Sequence, residues 1–162
     1  MPNRIARGIL SIVAAGWTCV GHCFREPSSD VQAFVRLPRK EQKVQFADLD
    51  AARQLSVAYW FYWNEPRDVW FVDMIAAETH LLPFLTKRLE ESTDEGEIEM
   101  IAYILQHMSA RYVDIVERSP VLAILEGKSR TMRNDGLKYQ VQAWIAQIRV
   151  SHDEIWSSHR QQ

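Results

Sequence analysis

Cysteine is nearly absent. The chain has two in 162 residues, Cys19 and Cys23, so the 139 positions after Cys23 have none. This excludes a disulfide-stapled scaffold, a cysteine-rich metal site and a thiol nucleophile in the body of the protein. Glycine and proline are also sparse, six of each, too few for a turn-dense β-sandwich or barrel. No Gly-x-Gly-x-x-Gly or Gly-x4-Gly-Lys loop is present to cradle a phosphate. Gly-x-Ser-x-Gly, Ser-x-x-Lys and His-Glu-x-x-His are missing as well. Charge of one sign is not in excess: the formal net charge is −2 and the sequence pI about 6.2. Nucleic acid is therefore not an expected partner. What remains is 47% hydrophobic and 25% charged residues, the composition of an ordinary folded domain.

The amino terminus differs from the rest. Arg4 and Arg7 precede an apolar run from Ile9 to Val20, with Ala14 and Gly16 as small residues near its end. Such a run is too short for a membrane span, which needs roughly 20 apolar residues. A basic start, apolar middle and small exit have the proportions of an export signal. Residues 1–23 are read as a signal peptide or membrane-targeting segment, and 24–29 as a polar linker. Cys19 is the candidate lipidation site, in the manner of a lipoprotein signal. The alternative is a cytoplasmic chain whose first segment is an apolar core helix.

From residue 30 to 162 the pattern is that of a single helical domain. Ser29 caps an expected helix over Asp30–Arg36, which Pro38 closes. Asp48 caps the next, Leu49–Trp63, whose Leu49, Ala52, Leu55, Tyr59 and Tyr62 share one face. A helix through Trp70, Met74 and Ala77 follows Pro66. Thr79 opens His80–Glu91, with Pro83 in its first turn. Asp94 with Glu97 forms a capping-box pattern for Glu95–Arg111, and Ile98, Ile101, Leu105, Met108 and Tyr112 mark its buried side. A short helix from Ser119-Pro120 is expected to end at Gly127, with Lys128–Asp135 as a long polar loop. A final helix starts at Gly136, with Leu137, Val141, Trp144, Ile145, Ile148 and Ile155 on one side. Short connections predict antiparallel hairpins, stacked as a solenoid fragment or an irregular bundle.

One stretch supports the solenoid version. Leu81-Leu82-Pro83-Phe84-Leu85, continuing to Leu89, ends at the acidic turn Ser92–Glu97 and leads into Ile98–Met108. This resembles a HEAT-like repeat, in which a Leu-Leu-Pro-x-Leu helix gives way to an acidic turn and an apolar helix. The likeness covers about 30 of the 162 residues, and Glu97-Ile98 stands where the family carries Val-Arg. It implies an α-hairpin stack with a protein-binding role. The order of signal, linker and helical body is similar to small exported or lipid-anchored bacterial proteins.

Candidates for chemistry are few. Of the five histidines, His80 stands two residues from Glu78, and the plain reading of His107, next to Met108 beside the apolar stripe of its helix, is a boundary residue hydrogen-bonded to a neighbour. The acids Glu90, Glu91, Asp94, Glu95, Glu97 and Glu99 lack calcium-loop spacing and read as a solvated turn favouring a helix N-terminus. Tyr59-Trp60-Phe61-Tyr62-Trp63 is the strongest signal. Five successive residues sweep about 400° of a helix, so these rings point all round its axis. Trp60, Trp63 and Trp70 are the candidate partner-binding residues. Lys128, Arg130, Arg133 and Lys138 make one basic cluster, and Arg36, Arg39, Lys40 and Lys43 another.

The expectation is a non-enzymatic helical module without metal or cofactor, exported to the periplasm or tethered by its N-terminus, that binds another protein. An immunity or inhibitor protein is one version. The rival is a metal-binding or hydrolytic envelope protein using His80 or His107. A cytoplasmic helical scaffold is the third reading.

Overall fold

The computed structural model describes residues 28–65 and 69–159. The expected signal segment, Cys19, Cys23 and most of the linker lie outside the described residues. Among the described residues eight α-helices pack together: α1 (Ser29–Val35), α2 (Arg39–Phe46), α3 (Ala51–Asn64), α4 (Trp70–Ala76), α5 (Leu82–Glu91), α6 (Glu95–Arg118), α7 (Val121–Thr131) and α8 (Asp135–His159). A single 3₁₀ turn, Thr79–Leu81, leads into α5. Among the described residues there is no strand, and no helix is long and apolar enough to cross a membrane. The architecture is all-α, as the 3–4-residue apolar spacing requires.

The middle of the bundle is α6. It packs against α8, α7, α5, α4 and α3, and Met100, Ile101, Ala102, Ile104, Leu105 and Met108 are completely buried. Both its ends follow from local chemistry. The Asp94 carboxylate accepts hydrogen bonds from the Gly96 and Glu97 amides at 2.9 and 3.2 Å, satisfying two orphan donors of the first turn. The expected end at Arg111 is where the helix breaks: Tyr112 has φ −137° and ψ 51°, and helical backbone resumes to Arg118. The continuation buries Val113 and Val116. Resumed apolar burial carries the chain past the expected stop.

Several boundaries differ from expectation. Asp50, not Asp48, caps α3, accepting from the Arg53 amide at 2.9 Å, because Ala47–Leu49 still form a turn closed on the carbonyls of Gln45 and Phe46. Helix α2 was not anticipated: only Gln42 and Phe46 of its eight residues are buried, too few to register as an apolar stripe. Gln42 fastens it by donating to the Val35 carbonyl at 3.0 Å, and Phe46 meets Phe34 and Phe71 edge-on or tilted. Gly127 does not end α7, which runs four residues further to Thr131. The expected loop Lys128–Asp135 is therefore mostly helix. His80 lies in the 3₁₀ turn ahead of α5.

The acidic stretch departs furthest from a solvated turn. Glu97 is buried, its carboxylate held by Arg88 Nε at 2.6 Å and Ser92 Oγ at 2.6 Å. Ser92 Oγ in turn accepts from the Asp94 amide at 3.2 Å. The capping box thus closes through Ser92 rather than directly from Glu97. Glu95 accepts from the Arg133 and Asn134 amides, tying the start of α6 to the α7–α8 connection. Glu99 is buried as well.

Candidate functional site

The aromatic run of α3 is distributed by helix geometry. Phe61 points into the core, tilted on Phe71 at a 4.4 Å centroid separation. Tyr62, 100° further round the axis, reaches α6. Its hydroxyl donates to Glu99 Oε1 at 2.6 Å. Trp144 of α8 donates its indole N–H to the same oxygen at 3.3 Å. Three helices therefore meet at one carboxylate.

Glu99 is only 3% exposed, and its second oxygen, Oε2, is buried with no hydrogen-bond partner among the described residues. Burial raises its pKa, and the hydrogen bonds from Tyr62 and Trp144 offset that rise only in part. The Tyr62 hydroxyl is pushed far up, first by burial and then by the charge of Glu99.

Around this carboxylate the rings form a continuous, half-buried ribbon. Tyr59 meets Trp63 (6.5 Å between centroids), Trp63 meets Tyr62 (5.3 Å), Tyr62 meets Tyr103 (5.4 Å), and Tyr103 meets Trp144 (5.0 Å). The ribbon runs from α3 across α6 to α8. Its polar edges are occupied: the Tyr59 hydroxyl lies 3.3 Å from Asp94, and His107, edge-on to Tyr103 at 4.3 Å, has Nδ1 2.7 Å from Asp73 Oδ1. Burial, with the negative charges of Asp73 and Glu99, raises the Tyr103 phenol.

The three tryptophans singled out from sequence fall in different places. Trp63 belongs to the ribbon. Trp60 packs edge-on to its neighbour Phe61 at 4.9 Å. Trp70 lies on the α2 side, edge-on to Phe46 and Phe71 at 6.0 and 4.9 Å, with Lys43 Nζ 5.2 Å from its ring centre. All three are half-buried against the core.

The histidines also separate. His107 is the boundary residue expected, hydrogen-bonded to one acid. His80 is exposed, 3.3 Å from the Glu78 carboxylate. No group of three or more His, Cys, Asp or Glu among the described residues is arranged to hold a metal. A small cleft of about 140 Å³ between α1 and α3 is lined mainly by Val31, Phe34, Leu49 and Val57, with Asp30 and Arg53 at its rim.

Glu99 is the residue that sequence reasoning missed, having been grouped with the acidic turn. Its signal was its position: it stands between Ile98 and Met100, beyond the first turn of α6, and one helical turn before Tyr103.

Compared with known proteins, the chain matches no family model, no curated protein and no solved structure.

Proposed function

We propose that this chain is a non-enzymatic helical module that binds another protein, exported or held at a membrane by its N-terminal segment. The observation that carries the reading is the aromatic ribbon Tyr59–Trp63–Tyr62–Tyr103–Trp144, contributed by three helices and partly open to solvent. Half-buried tyrosine and tryptophan lose little conformational entropy on binding and dominate the energetics of protein interfaces. Trp60 and Trp70 extend the aromatic surface of the α3–α4 region. A small helical body behind an export signal suits an immunity or inhibitor protein that occupies a partner in the cell envelope.

A HEAT-like relationship for residues 80–108 is part of this proposal. It is supported by α5 and α6, which pack together across the three-residue turn Ser92–Asp94. Affinity capture with the full chain from its own cells tests the function. The expected result is one protein retained stoichiometrically and lost with Trp63→Ala. Capture of nothing at any salt concentration would reject it.

A second reading is favoured by the 2.7 Å contact of His107 with Asp73, which orients an imidazole as acid–base or metal chemistry requires. Equimolar metal in elemental analysis of the purified protein would establish that alternative and displace the first.

A further inference from the structure

Helix α2 is anchored along a narrow strip and leaves the rest of its surface to solvent. Gln42 and Phe46 are buried, and the Arg39 guanidinium lies over the rings of Phe71 and Phe61 at 4.5 and 5.1 Å. At 100° per residue these three positions fall within about 60° of one another. The remaining residues divide by chemistry. Lys43, Ala47, Lys40 and Val44 follow one another around one flank, whereas Glu41, Asp48 and Gln45 occupy the opposite one.

The first flank combines cations with exposed apolar surface. Lys40 and Lys43 are exposed, and no carboxylate among the described residues pairs with either. Val44 is 66% exposed, among the most exposed large hydrophobic side chains described. Trp70, half-buried under Lys43, extends the patch with an indole. Two ammonium groups without a carboxylate partner, an aliphatic side chain and an indole on one side of a helix suit the boundary between headgroups and acyl chains. The ammonium groups complement lipid phosphates, and the apolar members gain by leaving water. An acidic protein face would also satisfy the lysines and could cover Val44; the place of this flank in the chain favours lipid. The apolar run Ile9–Val20 precedes this helix by about twenty residues, so membrane binding there would hold α2 close to the lipid surface.

We infer that the Lys40–Lys43–Val44 flank of α2, with Trp70 beside it, is a docking surface for anionic lipid headgroups. It shares only Trp70 with the aromatic surface assigned to partner binding, and none of the residues substituted below, so partner capture and lipid docking can fail independently. The full chain is sedimented with phosphatidylcholine vesicles and with vesicles containing phosphatidylglycerol at about one part in three. The apolar contribution of the N-terminal segment is common to both vesicle types, but Arg4 and Arg7 add to the anionic preference, so α2 is read from the part of that preference that the lysine substitutions remove. Each lysine is worth about fivefold in partition onto an anionic surface, so Lys40→Gln with Lys43→Gln lowers the anionic preference by ~25-fold. Raising the salt concentration does the same to the unaltered chain. Val44→Asp weakens anionic binding while leaving both lysines in place. All three side chains are exposed, so the variants keep the parent's thermal unfolding curve. Equal partition of the parent chain onto both vesicle types would overturn the inference. So would an anionic preference untouched by the lysine substitutions.

Discussion

The Tyr62 hydroxyl donates to Glu99 Oε1 at 2.6 Å, a hydrogen bond that joins α3 to the central helix of the bundle. The carboxylate it meets is buried, with its other oxygen unsatisfied. Burial is the largest influence on Glu99 and raises its pKa in the folded protein above that of the unfolded chain. The native state therefore binds this proton more tightly than the unfolded state does. The resulting stability is fully present below the unfolded value near 4.5 and is lost as pH rises through the higher folded value. Glu99→Gln keeps an acceptor for Tyr62 and Trp144 and removes the titration. Denaturant unfolding of both proteins between pH 4 and 8 is the measurement. The difference between them should shift in favour of the variant as pH rises, by on the order of 1–3 kcal/mol, the cost of an ill-satisfied buried polar group. A pH-independent difference would show that Glu99 does not titrate differently in the two states.

Tyr62→Phe removes one donor and retains the ring contact with Tyr103. It should destabilise the fold by about 1.5–3 kcal/mol at neutral pH, the range for a hydrogen bond to a charged group. The loss should shrink when Glu99 is already Gln, since the partner no longer carries charge. A double-mutant cycle on the two positions checks this, and strict additivity would mean that the contact contributes nothing.

The helical class was legible because apolar side chains recur at three and four residues wherever a helix buries one face, as Ile98, Ile101, Leu105 and Met108 do. The cap at Asp94 was legible because N-capping is local chemistry. Helix α2 was not, since its attachment depends on Gln42 reaching the carbonyls of α1 and on Arg39 lying over core rings. Glu99 was not either. Its donors come from 37 positions earlier and 45 positions later in the chain, so although Ile98 and Met100 on either side hint at burial, nothing local shows what holds the carboxyl. The spread of the aromatic run around α3 was foreseeable from the helical repeat, but which ring met which helix was set by tertiary packing.

Gly127 is inside α7 with ordinary helical backbone, and a Cβ built there meets nothing within 4 Å. Glycine in a helix interior costs about 0.5–1 kcal/mol relative to alanine, through the entropy lost on folding. Gly127→Ala should therefore raise stability by that amount, read as a higher denaturation midpoint with an unchanged slope. A lower midpoint would mean that the chain leaves the helix at this residue, as the glycine alone suggests.

Lys128 reaches out of α7 to the end of α5, where its ammonium donates to the Glu90 and Ser92 carbonyls, each at 2.7 Å. These carbonyls lie at and just beyond the last turn of α5, where helical acceptors have no partners of their own and the helix dipole presents its negative end. The lysine thus acts as a C-terminal cap supplied from another helix, and it also braces the turn from which Ser92 holds Glu97. Lys128→Met retains most of the aliphatic stem and deletes the charge and the donors. The expected loss is about 1 kcal/mol, because the bonds are partly open to water and solvent can replace some of their strength. Hydrogen exchange locates the effect: amides at the end of α5 and the start of α6 should exchange faster, whereas those of α1 should keep their parent rates relative to global opening. Uniform acceleration across the whole bundle would show that the lysine supports global stability without any local hold on this turn.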